Sequence, residues 1–425
     1  VILNINYYIF KNLKDMYMND KKKILWISYC VPYDSVPHAG GQIHNYYLKK
    51  LNATNIYDIE LFTFAKEEDL KKIDLEKYHI KYRLIMHYRK NIKNLYWMIR
   101  YRMRKYNFLS YYGILLTPYI EMKVKKELLK LLKGQDSAPD LIILQWTQMV
   151  LFINEIKEIF PNTPIICIEE DVAFLSSQRQ YNMEKNPLLK FILKTQYKRL
   201  KQKEIEALSI ADQIVLNNPK DLNLVQQCNV ITPKWYWSPY FNSMLENQYI
   251  GDKMDVLFYG AMNRPENWKS IIWFIENVWK KKDFQNARLI IVGNKPPIQL
   301  LNYASDNIII TGFVDNPESF FMHSVCMVAP LLYGAGVKIK ILEGLSSGLP
   351  ILTNHIGIEG IPAKPNVEYI NCESANDYIT TLKDIFEQKI DLKAISVNAK
   401  KFVAQNYNVN QSFDTFQAKI NTLIK

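Results

Sequence analysis

Two rounds of one alternation, short apolar runs followed by amphipathic stretches, limit what this chain can fold into. From Lys23 the order is KILWISY, GGQIHNYYLKKL and IELFTF, then EMKVKKELLKLL, DLIILQW, VLFINEIKEIF, PIICIEED, the long LLKFILKTQYKRLKQKEIEALSIA, and DQIVLNN. Short strands separated by helices cannot pair as hairpins, so they lie parallel in a sheet covered by helices on both faces. The rhythm breaks at ITPKWYWSPYFNSMLENQYIGDK, which has turn residues and aromatics but no period. It restarts as DVLFYG, NWKSIIWFIENVWKK, RLIIVGN, NIIITGF, VCMVAPLL and PILTN.

The fold class is therefore α/β, with two doubly wound, Rossmann-like domains. A chain of 425 residues, 48% hydrophobic and 23% charged, has material for two cores and is not a disordered protein. Residues 23–235 are assigned to an N-terminal domain, 236–254 to a hinge, 255–405 to a C-terminal domain, and 406–425 to a helix that packs back across the junction. The chain opens on Val1, while Met16 or Met18 would be a natural start, so residues 1–22 are treated as an extension that need not be native.

The five cysteines are scattered, with no pair at metal-ligand or redox spacing, which suits a reducing compartment. No apolar run approaches the ~20 residues that span a bilayer, and the opening residues lack the pattern of a signal peptide. A cytoplasmic protein is expected, peripheral on the inner face of the membrane if its basic surface meets lipid. The net charge of +12 points to acidic partners. The excess is local: residues 77–120 contain no acid, and Arg89 to Tyr112 interleave Arg and Lys with Tyr and Trp. That segment fits a solvated helix pair, an interface with anionic lipid, or a stacking surface for single-stranded nucleic acid, in that order of preference.

The chemistry concentrates after VCMVAPLL, in YGAGVKIKILEGLSSGLP. Gly334 and Gly336 remove Cβ atoms that would hold a phosphate off the backbone, and a helix starting near Val337 leaves its first N–H groups unpaired. Lys338, expected in the first turn, adds positive charge to the positive end of the helix, a placement that favours a bound anion. Glu343 lies five residues on, so one ligand could set its phosphate near Lys338 and its sugar hydroxyls near the carboxylate. The structural alternative leaves Lys338, Lys340 and Glu343 on an exposed face, and Lys340 is assigned to it. Gly348 and Pro350 end the helix.

Pro330, Gly334, Gly336, Lys338, Lys340, Glu343, Gly348, Pro350 and the turn GIEG from Gly357 to Gly360 resemble the donor-site signature of family 4 glycosyltransferases, retaining enzymes of the GT-B fold. The resemblance runs through VLFYGAMNRPENWKSIIWFIENV, LIIVGN and ITGFVDN, covers residues 255–362, and is weaker in the N-terminal half. It implies two Rossmann-like domains facing across a cleft. It implies that Gly336 and Lys338 hold the donor diphosphate and Glu343 the ribose, with Gly260, Gly334, Gly357, Ile358 and Glu359 completing the donor set. Many members carry two glutamates eight apart; Ala335 stands at the first position here, which leaves the donor sugar unassigned.

In the first domain, Gly40 and Gly41 form a tight turn or a phosphate-binding helix start, and the resemblance selects the second. His38 and His44 sit on or near that loop, each a surface or locally bonded histidine unless it touches substrate. Glu169, Glu170 and Asp171 follow a strand, where they could supply a base, acceptor contacts, a metal site or, in Asp171, a helix cap. Asp212 reads as structural. Together these imply a metal-independent hexosyltransferase moving a sugar from a UDP- or GDP-sugar to a glycan or lipid-linked acceptor in bacterial surface polysaccharide synthesis. Lys338, Asp171 and His44 are the candidate catalytic residues, with no metal, no cofactor beyond the nucleotide-sugar, and no nucleic acid. The alternatives are a nucleic-acid-binding protein and a sugar-nucleotide epimerase or dehydrogenase. The latter would carry a glycine fingerprint right after the first strand, and SYCVPYDSVPHAGG lacks it.

Overall fold

The computed structural model describes residues 21–87, 115–116, 118–133, 138–282, 284, 286–334 and 336–424. The basic aromatic segment 89–112 and Ala335 lie outside the described residues. One compact unit runs to Trp237 and takes in the chain from Phe413 onward; the other is Ser238–Ser412.

The first unit holds a sheet of seven strands: β1 (Lys22–Ser28), β2 (Tyr57–Ala65), β3 (Lys81–Met86), β4 (Leu141–Gln145), β5 (Ile165–Glu169), β6 (Gln213–Leu216) and β7 (Lys234–Tyr236). Their order is 3-2-1-4-5-6-7, and each pairing is parallel. Ile24, Leu25, Trp26 and Ile27 are all buried in sequence, as a strand covered on both faces requires. Among the described residues seven helices connect these strands: α1 (Ala39–Ala53), α2 (Pro118–Lys133), α3 (Thr147–Val150), α4 (Ile153–Ile159), α5 (Ala173–Met183), α6 (Pro187–Ile210) and α7 (Pro219–Gln227).

Three details differ from expectation. The segment VLFINEIKEIF is two helices, α3 and α4, because Leu151 and Phe152 are adjacent and both enter the same core, which an unbroken helix would place about 100° apart. Strand β7 lies inside the stretch read as aperiodic: it is three residues long, pairs on one side with β6, and is only half-buried, so it carries little pattern. Strand β3 lies inside the acid-free segment, and its Lys81 and Arg83 pair with Asp58 and Glu60 on β2. Part of the basic excess is thus cross-strand pairing.

The second unit repeats the plan with β8 (Lys253–Tyr259), β9 (Arg288–Val292), β10 (Ile308–Gly312), β11 (Ser324–Ala329), β12 (Ile351–Thr353) and β13 (Ile370–Asn371), ordered 10-9-8-11-12-13. Its helices are α8 (Pro265–Asn277), α9 (Ile298–Leu301), α10 (Glu318–His323), α11 (Ile339–Ser347), α12 (Ala375–Phe386) and α13 (Leu392–Asn406). Helix α11 ends at Gly348, whose φ of +78° is the left-handed cap that glycine accepts without strain.

The last helix, α14 (Val409–Leu423), buries Phe413, Phe416 and Ile420. Phe416 meets Trp26, Tyr47 and Trp237 edge-on, and Trp237 stacks on Tyr47 at 3.9 Å. This end of the chain is therefore part of the first unit's core. Replacing Phe416 by Ala removes the ring at the centre of that cluster and should cost about 3–5 kcal/mol, read as a lowered midpoint for the first unit in urea denaturation.

Candidate active site

In each sheet the winding direction reverses once, between β1 and β4 in the first and between β8 and β11 in the second. The carboxyl ends of those strands are where open α/β sheets bind ligands, because the chains leaving them diverge to opposite faces. Each unit places charged and glycine residues at its own reversal.

In the first unit, β1 leads through a loop to the start of α1. His38 caps that helix: its Nδ1 accepts from the Gly41 N–H at 3.0 Å, so the ring is bonded locally. A Cβ on Gly40 would lie 3.0 Å from Glu170 Oε2, and one on Gly41 would lie 2.6 Å from Val36 Cγ2, so both positions need glycine for close packing. Glu170 is buried and accepts from Gln145 Nε2 and Asn217 Nδ2, each at 2.6 Å. Burial outweighs those two bonds and pushes its carboxyl up to about 7. Trp146, directly after β4, has φ of +72°, a left-handed conformation costly for a bulky residue. Its ring lies 5.3 Å from His44 and 6.4 Å from His38.

His44 departs from the surface reading. It is fully buried between Trp26 and Trp146, and burial pushes its pKa down to about 3. A ring held neutral inside the core cannot serve there as a solvent-facing acid.

The three acids at the carboxyl end of β5 also separate. Glu169 is fully buried, bonded to the Thr147 hydroxyl, and raised by burial and by Glu204. Asp171 is exposed and does not cap α5, whose first position follows Val172. The N–H groups of Ala173 and Phe174 instead donate to the buried Glu204 at 2.8 and 2.9 Å. Among the described residues no three His, Cys, Asp or Glu side chains gather as a metal site. Asp212 is structural: its carboxylate accepts from the Ile165 N–H and pairs with Lys157.

In the second unit, β8 ends against Gly260, which has φ of +151°. A Cβ there would meet Asn267 Nδ2 at 3.1 Å and Lys340 Cδ at 3.5 Å. Gly293, after β9, is tighter still: a Cβ would lie 1.7 Å from the Gly260 carbonyl oxygen. These glycines let two strand ends and the start of α11 close on one another.

Helix α11 begins two residues later than expected, so Lys338 is its N-cap residue and not part of its first turn. Gly336, at φ of +70°, lets the chain double back, and Lys338 Nζ donates to its carbonyl at 2.6 Å. The same ammonium pairs with Glu359 Oε2 at 3.4 Å, which ties the GIEG turn to the glycine loop. That turn is itself fixed by the Gly357 N–H donating to Asn354 Oδ1 at 3.0 Å, and by the Ile358 N–H bonding the Asn354 carbonyl. Gly357 is crowded, since a Cβ would sit 1.9 Å from Thr353 Oγ1.

Lys340 departs most from the sequence reading. Far from being solvated, it points inward: Nζ donates to Asn267 Oδ1 at 2.7 Å and lies 4.9 Å from the centre of the Phe258 ring. Burial, then the charges of Arg264 and Lys338, push its pKa down to about 7. Arg264, at the start of α8, is paired with Glu266, whose charge offsets this only in part. Glu343 lies on the same helix, and burial pushes its carboxyl up to about 8 against one backbone bond from Asn242. Three cations near a glycine-lined helix start, with a desolvated carboxyl along the same helix, give an arrangement able to hold an anion and to accept from hydroxyls beside it.

The structure thus brings together Gly260, Gly334, Gly336, Lys338, Gly357, Ile358 and Glu359, with Glu343 on the following helix. Sequence reasoning missed Arg264 and Asn267, which sit on the turn and helix after β8, and Trp146, whose one signal is its place immediately after a strand.

Residues 253–387 match the family model described as Glycosyl transferases group 1. A Klebsiella pneumoniae protein described as an uncharacterized 44.6 kDa protein in the cps region is 26% identical over 183 residues, which is 39% of this chain and 46% of that one. The matched region thus spans less than half the length of that relative. Among solved structures, the sucrose-phosphate synthase of Thermosynechococcus elongatus is similar at a TM-score of 0.64 and 14% identity, over 95% of this chain and 99% of that one. HepE of Anabaena, solved with UDP, is similar at 0.61 and 12% identity, over 94% and 100%. WaaG, a glycosyltransferase involved in lipopolysaccharide biosynthesis, is similar at 0.61 and 14% identity, over 93% and 99%. At such identities the likeness establishes architecture alone: two parallel-sheet, Rossmann-like units of the GT-B fold, the second carrying the group 1 sequence pattern over residues 253–387.

Proposed function

We propose that this protein is a glycosyltransferase that moves a sugar from a nucleotide-sugar to a glycan or lipid-linked acceptor in surface polysaccharide synthesis. The observation that carries the reading is the convergence of Arg264, Lys338 and Lys340 at the glycine-lined start of α11, with Glu343 farther along the helix. Close cations repel one another, and a diphosphate placed among them removes that cost while satisfying the free N–H groups of the helix. Glu343 then accepts from ribose hydroxyls. HepE, solved with UDP, and WaaG, a lipopolysaccharide enzyme, are consistent with this assignment.

In the proposed reaction the bond between the anomeric carbon and the diphosphate oxygen breaks, and an acceptor hydroxyl oxygen bonds to that carbon. The acceptor proton passes to the leaving diphosphate. Negative charge grows on the diphosphate as the bond lengthens, and Lys338, Lys340, Arg264 and the helix start stabilise it without a metal ion. Retention of configuration and membership of family 4 follow the resemblance in the donor motif. In the first unit, Trp146, Glu170 and Asp171 are assigned to the acceptor, Glu170 as a carboxylic acid able to donate as well as accept.

A thermal-shift panel of UDP-, GDP- and ADP-sugars tests the donor assignment. One nucleotide class should stabilise the wild type, and Glu343→Ala should lose most of that shift. Failure of every nucleotide-sugar, with acceptor lipid present, would remove the basis of the reading. In a transfer assay Lys338→Ala should lower kcat/KM by about 10²–10³-fold, the usual loss when one charge-stabilising group is removed.

The pH profile supplies a further check. Lys340 must be protonated and titrates near 7, while Glu343 must be ionised and titrates near 8. Their opposed requirements predict a bell-shaped kcat/KM with its maximum between those values. Lys340→Arg keeps the charge at all pH values and should remove the alkaline fall; an unchanged profile would show that Lys340 does not act through its charge.

A further inference from the structure

The corner where α5 ends and α6 begins exposes three large apolar side chains: Met183 at 73%, Leu188 at 72% and Phe191 at 68%. Folding explains none of them. Helix α6 buries Leu193, Gln196, Leu200 and Glu204 along one face and packs against α5, where the Tyr181 and Tyr197 rings lie 5.3 Å apart. At about 100° per residue, Phe191, Lys194 and Lys198 lie on the opposite face, with Leu188 one turn before Phe191. Lys185, Lys190, Lys194 and Lys198 are exposed around the apolar tip. From Lys185 to Lys203 there are seven basic residues and no acid. The nearest acid before them, Glu184, accepts from the Asn186 N–H.

We propose that this helical corner docks on an anionic lipid surface, with Met183, Leu188 and Phe191 entering the boundary between headgroups and acyl chains while the lysines reach lipid phosphates. Charge complementarity selects the occupant. An apolar protein partner has no need of the unbroken lysine stripe, and a nucleic acid has no use for two aliphatic side chains at the tip of the turn. A lipid surface uses both, because lysine stems lie along apolar surface while their ammonium groups stay in the headgroup layer. Among the described residues no helix is long and apolar enough to cross a membrane, so the contact is one of lying on the surface. The proposal concerns a surface distinct from segment 89–112 and does not rest on the donor assignment.

Flotation of the full chain with vesicles tests it, using phosphatidylcholine alone and phosphatidylcholine mixed with phosphatidylglycerol. The wild type should float with the mixed vesicles and weakly or not at all with the neutral ones. Each lysine near an anionic surface is worth roughly fivefold in binding. The charge reversal Lys190→Glu, Lys194→Glu, Lys198→Glu should therefore weaken flotation on the order of 100-fold or more, and Leu188→Ser with Phe191→Ser should weaken it at least tenfold. Unchanged melting temperatures in both variants show that the fold is kept. Absence of wild-type flotation, or flotation by both variants equal to wild type, overturns the proposal. Loss only in the lysine variant would show diffuse charge attraction, as to a nucleic acid, and overturns insertion at the corner. A fall in sedimentation mass in the serine variant would assign the patch to a second copy of the chain and overturn it as well.

Discussion

A parallel sheet sends the carboxyl ends of all its strands to one edge, and the chemistry of this protein depends on that constraint. Each unit reverses its winding once, so one pair of strand ends in each is left open between diverging connections. Everything else at the two sites is a way of filling such an opening: glycines where backbones must touch, and charged side chains where a ligand would lie. The groups proposed to bind the donor in the second unit come from three separate stretches of chain, after β8, after β11 and after β12, which meet because their strands share an edge.

The energetics of the two sites are opposite in sign of charge but alike in kind. Lys340 is half-buried and turned inward beside Arg264 and Lys338, and its pKa falls because the charged form is penalised. Glu169, Glu170 and Glu204 are buried near one another in the first unit, and theirs rise for the same reason. At Glu170 the bonds from Gln145 and Asn217 oppose that rise without cancelling it. In the second unit Arg264 and Lys338 are each paired with a glutamate, Glu266 and Glu359, whereas Lys340 is bonded to the neutral amide of Asn267 and its charge is the least compensated of the three.

The alternation of apolar runs made both sheets legible, and the glycine, lysine and glutamate spacing after β11 made half of the proposed donor site legible. What escaped was decided by contacts distant in sequence. Periodicity cannot say that Lys338 and Lys340 both turn inward: Lys338 is held by Gly336 and Glu359, and Lys340 by Asn267, 73 positions earlier. Glu204, set among lysines in a long helix, looks like a surface residue, and only the start of α5 beneath it explains its burial. His44 was read from the loop it follows, whereas the two tryptophans that enclose it come from β1 and from the end of β4. Strand β7 is too short and too exposed to leave a pattern.

Gly293 touches no proposed ligand group, yet the space for its missing side chain is occupied by the carbonyl of Gly260. Any other residue there would push the turn after β8 outward, and that turn carries Arg264 and leads into the helix that holds Asn267. The damage would reach Lys340 through Asn267 without altering one atom that meets a substrate. A survey of inactivating substitutions would therefore score position 293 beside the true contacts. What it would be detecting is the keystone of an arch whose load rests elsewhere.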